Sequence, residues 1–392
     1  MDNPSKMIKL RAASIDDLAA LARRRLPRFA FDFLDGGAGD EAGLRRNVER
    51  LRAMLLKPRY AVGVAPELSA PLFGRDWRLP FGVAPVGMGN LVWPGADLAL
   101  ARIAHAAGVP FVLSTAGTTT IEEVAAAAPG TAWFQLYVSR RDAINRDLLR
   151  RAAQAGVRTL VVTVDIAAPG NRRRDVRNRF VLPFRPGMRL GVDLLARPRW
   201  SLATLAAGAP QFANLLPYAE RADAGRSLPE FMAEQIKANL CWDDIRALRD
   251  LWAGELVVKG ILAAEDAALA RAAGADAVWI SNHGGRQLDS APAAIDAVAA
   301  VRASVGPDVP VLMDGGIRSG EDIAKARIAG ADFVFSGRCF YYGIGAGGQR
   351  GGEHALALLA DDLRRALMQL GCPSFVGLDD RWLWRGGSVI GE

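Results

Sequence analysis

Short apolar, β-branched runs recur along the chain at 81–86, 110–115, 132–137, 158–165, 255–260, 276–281, 309–314 and 332–336. Between most of them lies an alanine-rich amphipathic segment ending near glycine, such as Asp97 to Gly108 and Glu265 to Gly274. Strands that alternate with helices pair in parallel, because each helix carries the chain back across the sheet. A series of eight such units favours closure over an open sheet. The pattern predicts an α/β fold, a (β/α)8 TIM barrel over 79–371, and a chain of 392 residues accommodates it as one domain.

The residues before it, 1–78, predict an N-terminal helical cap. Ser14-Ile15-Asp16-Asp17 has the form of a helix start, and Leu18, Leu21 and Leu26 supply the apolar positions that follow. Phe31-Asp32-Phe33-Leu34-Asp35-Gly36-Gly37 then ends a second helical piece in glycine. A further departure from a plain barrel is the stretch 181–239, a connection after the fourth strand too long to be an ordinary loop.

Barrels of this type collect chemistry at the C-terminal ends of their strands. Here those ends carry Val86 and Gly87, then Ser114 to Ala116, then Gln135 and Tyr137, then Thr163 and Asp165 with Arg172 shortly after. Lys259 ends the fifth, Ser281 and His283 the sixth, Asp314-Gly315-Gly316-Ile317-Arg318 the seventh, and Ser336-Gly337-Arg338 the eighth. The sixth end opens Ser281-Asn282-His283-Gly284-Gly285-Arg286-Gln287-Leu288-Asp289. Its glycines permit a sharp turn, its histidine titrates near neutral pH, and its arginine can clamp a carboxylate bidentately. A base and an anion clamp three residues apart suit a substrate with an acidic proton beside a carboxylate; alone, the same residues are equally a structural turn.

The last two ends sit where barrels bind phosphate, through glycine amides, an arginine and a helix N-terminus. No Gly-x-Gly-x-x-Gly follows an early strand, and Gly345-Ala346-Gly347-Gly348 comes after the last one. A flavin mononucleotide is the remaining candidate. Lys259 would then face the flavin N1 and C2 oxygen, or else pair with a carboxylate at the barrel mouth.

A formal net charge of +7, with arginine dominating, suits acidic substrates or an anionic membrane surface. No basic helix or aromatic-basic motif points to nucleic acid. Cys241, Cys339 and Cys372 are too scattered for a metal or disulfide framework. The N-terminus lacks the apolar core of a signal peptide, and no run of about 18 apolar residues appears. The expectation is a cytoplasmic protein, soluble or held peripherally at the inner face of the membrane.

The stretch Ser281 to Asp289 resembles the active-site signature of the FMN-dependent 2-hydroxy acid dehydrogenases and oxidases. So do Trp133-Phe134-Gln135-Leu136-Tyr137, Thr163-Val164-Asp165, Arg172 before Asn178-Arg179-Phe180, Lys259-Gly260 and Asp314 to Arg318. The resemblance runs from about Leu26 to Cys372. It implies that His283 is the base, that Asp165 holds its far nitrogen, and that Arg172 and Arg286 bind the substrate carboxylate. Tyr137 would hydrogen-bond the substrate hydroxyl. Val86, Gly87, Ser114, Gln135, Thr163 and Lys259 would contact the flavin ring, and Asp314, Gly316, Arg318, Gly337 and Arg338 its ribityl phosphate. Whether the base takes the Cα or the hydroxyl proton stays open. A homotetramer and a quinone or oxygen acceptor are also implied.

Phe33 stands where many members have a tyrosine, Ala116 where glycolate oxidases have tryptophan, and Gly87 where many oxidases have alanine. Together these resemble the mandelate branch and predict an aromatic substrate, with flavin-type L-lactate dehydrogenase or an oxygen-using oxidase as the alternatives. Pro210 to Leu215 resembles the loop of the lactate enzymes. In 181–239, Arg185, Arg189, Arg197 and Arg199 stand beside Phe184, Leu190, Leu194, Leu195 and Trp200. That composition suits either a bilayer-surface segment or a soluble lid.

Overall fold

The computed structural model describes residues 11–178, 188–219 and 236–385. The cap begins with α1 (Ile15–Arg25), where the Ser14 hydroxyl accepts from Asp17 N and the Asp17 carboxylate accepts in return from the Ser14 backbone N–H. Ile15, Leu18 and Ala22 form its buried stripe. The discounted glycines after the last strand have their use here: a Cβ on Gly345 would stand 3.0 Å from Ala22 Cβ, so glycine lets two helices touch. The second helix, α2 (Arg28–Asp35), ends at Gly36 as expected, but Gly36 is extended at φ −65° rather than left-handed. Glycine is needed there for space, since a Cβ would meet Asp32 O at 2.6 Å.

Two cap elements were not legible in the sequence. One is α3 (Ala42–Ala53), whose N-cap Glu41 makes no capping hydrogen bond through its side chain. The other is a hairpin, β1 (Ala70–Leu72) and β2 (Arg75–Trp77), lying within the stretch expected to be helical. Phe73 and Gly74 both have positive φ, 53° and 67°, which matches the right-handed strand twist of a two-residue turn. The hairpin aromatics plug the barrel floor: Phe73 and Trp77 pack on Trp133 at centroid distances of 5.7 and 6.2 Å, and Trp77 on Phe333 at 6.3 Å.

Eight parallel strands then close the barrel: β3 (Phe81–Val83), β4 (Phe111–Ser114), β5 (Ala132–Leu136), β6 (Thr159–Thr163), β7 (Glu255–Ile261), β8 (Ala277–Ile280), β9 (Val311–Met313) and β10 (Phe333–Ser336), with β10 pairing back onto β3. All fall on the runs read from the sequence. Above the floor, Trp279 and Phe335 pack at 4.1 Å, and Lys259 Nζ lies 5.5 Å from the Trp279 ring centroid. Aromatic side chains fill the barrel to this height, and a cavity lies beyond them at the C-terminal mouth.

The long connection contributes helices Met188–Leu195 and Pro198–Ala207. Trp200, expected as a candidate bilayer anchor, is instead 3% exposed, edge-on to Phe29 at 5.7 Å, with its Nε1 donating to Leu91 O. A large indole with one donor is more stable against an apolar cap that also offers a carbonyl. Arg197 likewise donates to Leu26 O. Leu190 and Leu194 pack inward, whereas Met188, Val192, Leu195, Leu202 and Leu205 point out. Phe184, Arg185 and the side chain of Arg189 lie outside the described residues.

Candidate active site

A cavity of about 470 Å³ opens at the barrel mouth, between cap, strand ends and long connection. His283 projects into it from the turn after β8. Its Nδ1 lies 3.0 Å from Asp165 Oδ1, and its Nε2 lies 3.5 Å from the Tyr137 hydroxyl. Burial alone would raise the Asp165 pKa, but the charge and hydrogen bond of His283, with Lys259 nearby, hold it below the usual carboxylate range. Burial, then the Asp165 charge, push Tyr137 up to about 12, so its hydroxyl stays a neutral donor.

Arg172 and Arg286 line the same cavity. Arg286 Nη1 donates to Gly36 O at 2.7 Å and its guanidinium lies 5.3 Å from the Phe33 ring centroid, so the cap orients it. Phe33, Gly87 and Ala116 form part of an apolar wall. Gly87 and Ala116 are in close register, for a Cβ on Gly87 would stand 2.9 Å from Ala116 Cβ.

The expected cofactor residues Val86, Gly87, Thr163, Lys259, Asp314, Gly316, Arg318, Gly337 and Arg338 all line the cavity. Ser114 and Gln135 do not line it, but they are buried and paired, Ser114 Oγ donating to Gln135 Oε1 at 2.9 Å. Lys259 lines the cavity and also pairs with the Asp314 carboxylate at 3.1 Å and Ser281 Oγ at 2.8 Å, the carboxylate pairing being one of its two readings. Arg338, expected on phosphate, gives three of its N–H groups to Leu34 O, Gly284 O and Gly36 O. Gly316, expected for the same role, is required by the cap, since a Cβ there would lie 2.6 Å from Asn47 O.

FMN fits this residue set. Gln135 Nε2 is a buried donor without a protein partner among the described residues, suited to a ring acceptor. Helix Arg338–Gly347 starts at Gly337 with no side-chain cap on its first N–H groups, and Arg318 stands beside it. A dianionic phosphate complements both.

Residues 22–385 match the model of the family described as FMN-dependent dehydrogenase. The chain belongs to that family. The (S)-mandelate dehydrogenase of Pseudomonas putida is 40% identical over 375 residues, covering 95% of this chain and 94% of that protein. An L-lactate dehydrogenase of Caulobacter vibrioides is 38% identical over 370 residues, covering 94% and 96%. The crystal structure of monotopic membrane protein (S)-mandelate dehydrogenase superposes with a TM-score of 0.90 at 40% identity, covering 96% of this chain and 100% of that one. The chain is thus an FMN-dependent enzyme of the kind that acts on the CH–OH group of hydroxy acids.

Sequence reasoning missed several members of the site. Phe212, Ile236 and Ala238 reach the cavity from the long connection, pinned by Ala213 N to Gly117 O and by Lys237 N to Val138 O. Phe212 lies in the stretch Pro210 to Leu215 that resembles the loop of the lactate enzymes, but nothing local marks Ile236 or Ala238, whose placement comes from pairing with distant loops. Asp175 also lines the cavity; burial first of all raises its pKa, opposed by Arg286 and Arg172. Its position one helical turn after Arg172 was a usable signal.

Proposed function

We propose that this enzyme oxidises an (S)-2-hydroxy acid to the 2-oxo acid, with an aromatic acid such as mandelate as preferred substrate. The observation that carries the reading is His283, flanked by Asp165 and Tyr137, in a cavity that also holds Arg172 and Arg286. The two arginines hold the carboxylate and so fix which face of Cα meets the base. Tyr137 donates to the substrate hydroxyl oxygen, and His283 Nε2 takes the proton. Asp165 keeps the other nitrogen protonated and stabilises the imidazolium. FMN, when bound, would supply the two-electron acceptor that this oxidation needs, with a quinone-type compound or oxygen as the final acceptor. Gln135, Thr163 and Lys259 would hold its ring, and Arg318 with the amides at Gly337 its phosphate.

The aromatic preference rests on the apolar wall of Phe33, Gly87, Ala116, Phe212 and Ile236. Burying a phenyl ring there gains about 25 cal/mol per Å² of apolar area removed from water. L-lactate is the second reading, favoured by the likeness to the Caulobacter enzyme. Anaerobic addition of (S)-mandelate should bleach the oxidised-flavin absorbance of the purified yellow protein, at a lower concentration than L-lactate requires. An unbleached flavin with both acids defeats the proposal.

We also propose peripheral contact with an anionic membrane through the long connection. Met188 is 90% exposed, Leu195 82% and Leu205 80%, outward apolar side chains on two helices of the connection. Arg197 ties the connection through Leu26 O to the end of α1, whose last turn carries Arg23, Arg24 and Arg25. A homotetramer, carried over from the family likeness, is tested by light scattering.

A further inference from the structure

His283 adopts φ +57°, and Gly284 and Gly285 follow at +64° and +75°. Left-handed backbone is ordinary for the glycines and unfavourable for a histidine. Such a conformation persists only where the surroundings over-determine it. Two bonds come from the turn itself: His283 N donates to Ser281 Oγ at 3.0 Å, and Gly285 N to Asn282 Oδ1 at 3.1 Å. The third constraint comes from the cap. Asn47, on α3, donates its Nδ2 to Asn282 Oδ1 at 2.8 Å and accepts from Asn282 Nδ2 at 2.8 Å.

This reciprocal amide pair is buried, Asn47 being 1% exposed and Asn282 4%. Two antiparallel bonds between planar amides fix both the distance and the plane of the Asn282 side chain. That same Oδ1 in turn receives the Gly285 amide. The helix carrying Asn47 is held to the other end of the same turn. Asp289 accepts from Gly43 N and Asp40 N, both at 2.8 Å, and so supplies in trans the N-terminal cap that Glu41 does not. Asn47 Oδ1 also accepts from Ala294 N, beyond the turn. Neither Asn47 nor Asn282 lines the cavity.

We infer that Asn47 is a positioning residue for the reaction: through Asn282 it holds His283 in its left-handed conformation, with Nδ1 on Asp165 and Nε2 toward Tyr137. The inference rests on the reading of His283 as the base. Because both partners are neutral amides, the device works at any pH at which the base does. Arg286 is steadied separately, by Gly36 O. Loss of Asn47 therefore acts on the proton transfer more than on carboxylate binding.

The test uses the FMN-loaded enzyme and three variants. Asn47→Ala should keep its flavin and a KM within about twofold of wild type, while kcat falls about tenfold to a hundredfold through misplacement of the base. The isotope effect of Cα-deuterated substrate on kcat should rise, since cleavage of the Cα–H bond becomes more rate-limiting whichever proton the base takes. Leu51→Ala, which empties a buried position on the same helix, controls for general loosening. It should lower the melting temperature comparably and leave kcat within about twofold. Asn47→Asp keeps the size and the acceptor oxygen but loses the donor, and should resemble Asn47→Ala.

Wild-type kcat in Asn47→Ala overturns the inference, as does an equal kcat loss in Leu51→Ala. Failure of both Asn47 variants to fold makes Asn47 a structural residue and also overturns it. His283→Ala is run alongside. If it turns over normally, the base assignment itself has failed; if it is dead while Asn47→Ala is unaffected, only the positioning role has failed.

Discussion

Asp165 Oδ1 stands 3.0 Å from His283 Nδ1, while Asp165 Oδ2 is buried with no protein partner among the described residues. The carboxylate therefore spends its charge on one imidazole nitrogen. Asp165→Asn should keep the fold and lower kcat by roughly 10²-fold or more, because the amide no longer stabilises the imidazolium. Its pKa is depressed in the folded state. The associated stability is thus fully present above the ordinary carboxylate value of about 3.9 and lost as pH falls through the lower folded value. Acid denaturation of wild type and Asp165→Asn, followed by circular dichroism, measures this: the variant should show the shallower loss.

His283→Ala should abolish turnover and leave FMN bound. The phosphate end of the cavity, at Arg318 and Gly337, is built from other strand ends. Flavin absorbance after gel filtration, together with steady-state rates, checks both halves. Activity within about tenfold of wild type exceeds what loss of a general base allows.

Ala116→Trp should lower the ratio of kcat/KM for mandelate over lactate. The new indole would enter the wall shared with Gly87, where a single added Cβ already meets Ala116 at 2.9 Å. Lactate needs less of that space. A wild-type ratio below one, or a ratio the substitution leaves unchanged, returns lactate to first place.

Gln135→Leu should weaken FMN binding about tenfold, the worth of one hydrogen bond to a buried donor. The apoprotein should melt only slightly lower than wild type: Ser114 Oγ loses its acceptor at Gln135 Oε1, worth about 1 kcal/mol, whereas Nε2 has no protein partner among the described residues to lose. Flavin titration of apoprotein and thermal melts give the two numbers. Unchanged FMN affinity would remove Gln135 from the cofactor site.

Trp200→Ala should cost about 3–5 kcal/mol of stability, as a buried tryptophan does, without weakening vesicle binding. Leu195→Asp with Leu205→Asp should do the reverse, since both leucines are largely exposed. Sedimentation with anionic vesicles at low salt, beside urea melts, separates the two. Absence of vesicle binding in the wild type reduces the long connection to a lid.

Wherever the physics is local or periodic, the sequence alone was decisive. Alternating strand and helix patterns located β3 to β10, because burial on both faces demands apolar runs and a crossover demands an amphipathic helix. The rule that barrel chemistry sits at C-terminal strand ends then picked out His283, Asp165, Tyr137 and Lys259 from four different strands. The capping pair of Ser14 and Asp17 was legible because it spans one helical turn.

Tertiary structure decided what depends on contacts between segments far apart in the chain. Helix α3 is capped by Asp289, 246 residues from Gly43, so no neighbouring residue announces its start. Asn47 and Asn282 are ordinary polar residues until folding buries them face to face, when each amide must be satisfied inside the protein and the two pair reciprocally. Trp200, which composition allows as either a bilayer anchor or part of a soluble lid, packs against the cap and donates to the Leu91 carbonyl. Composition states how much apolar surface a segment has. Only the fold determines which of it meets protein and which, like Leu195 and Leu205, is left outside.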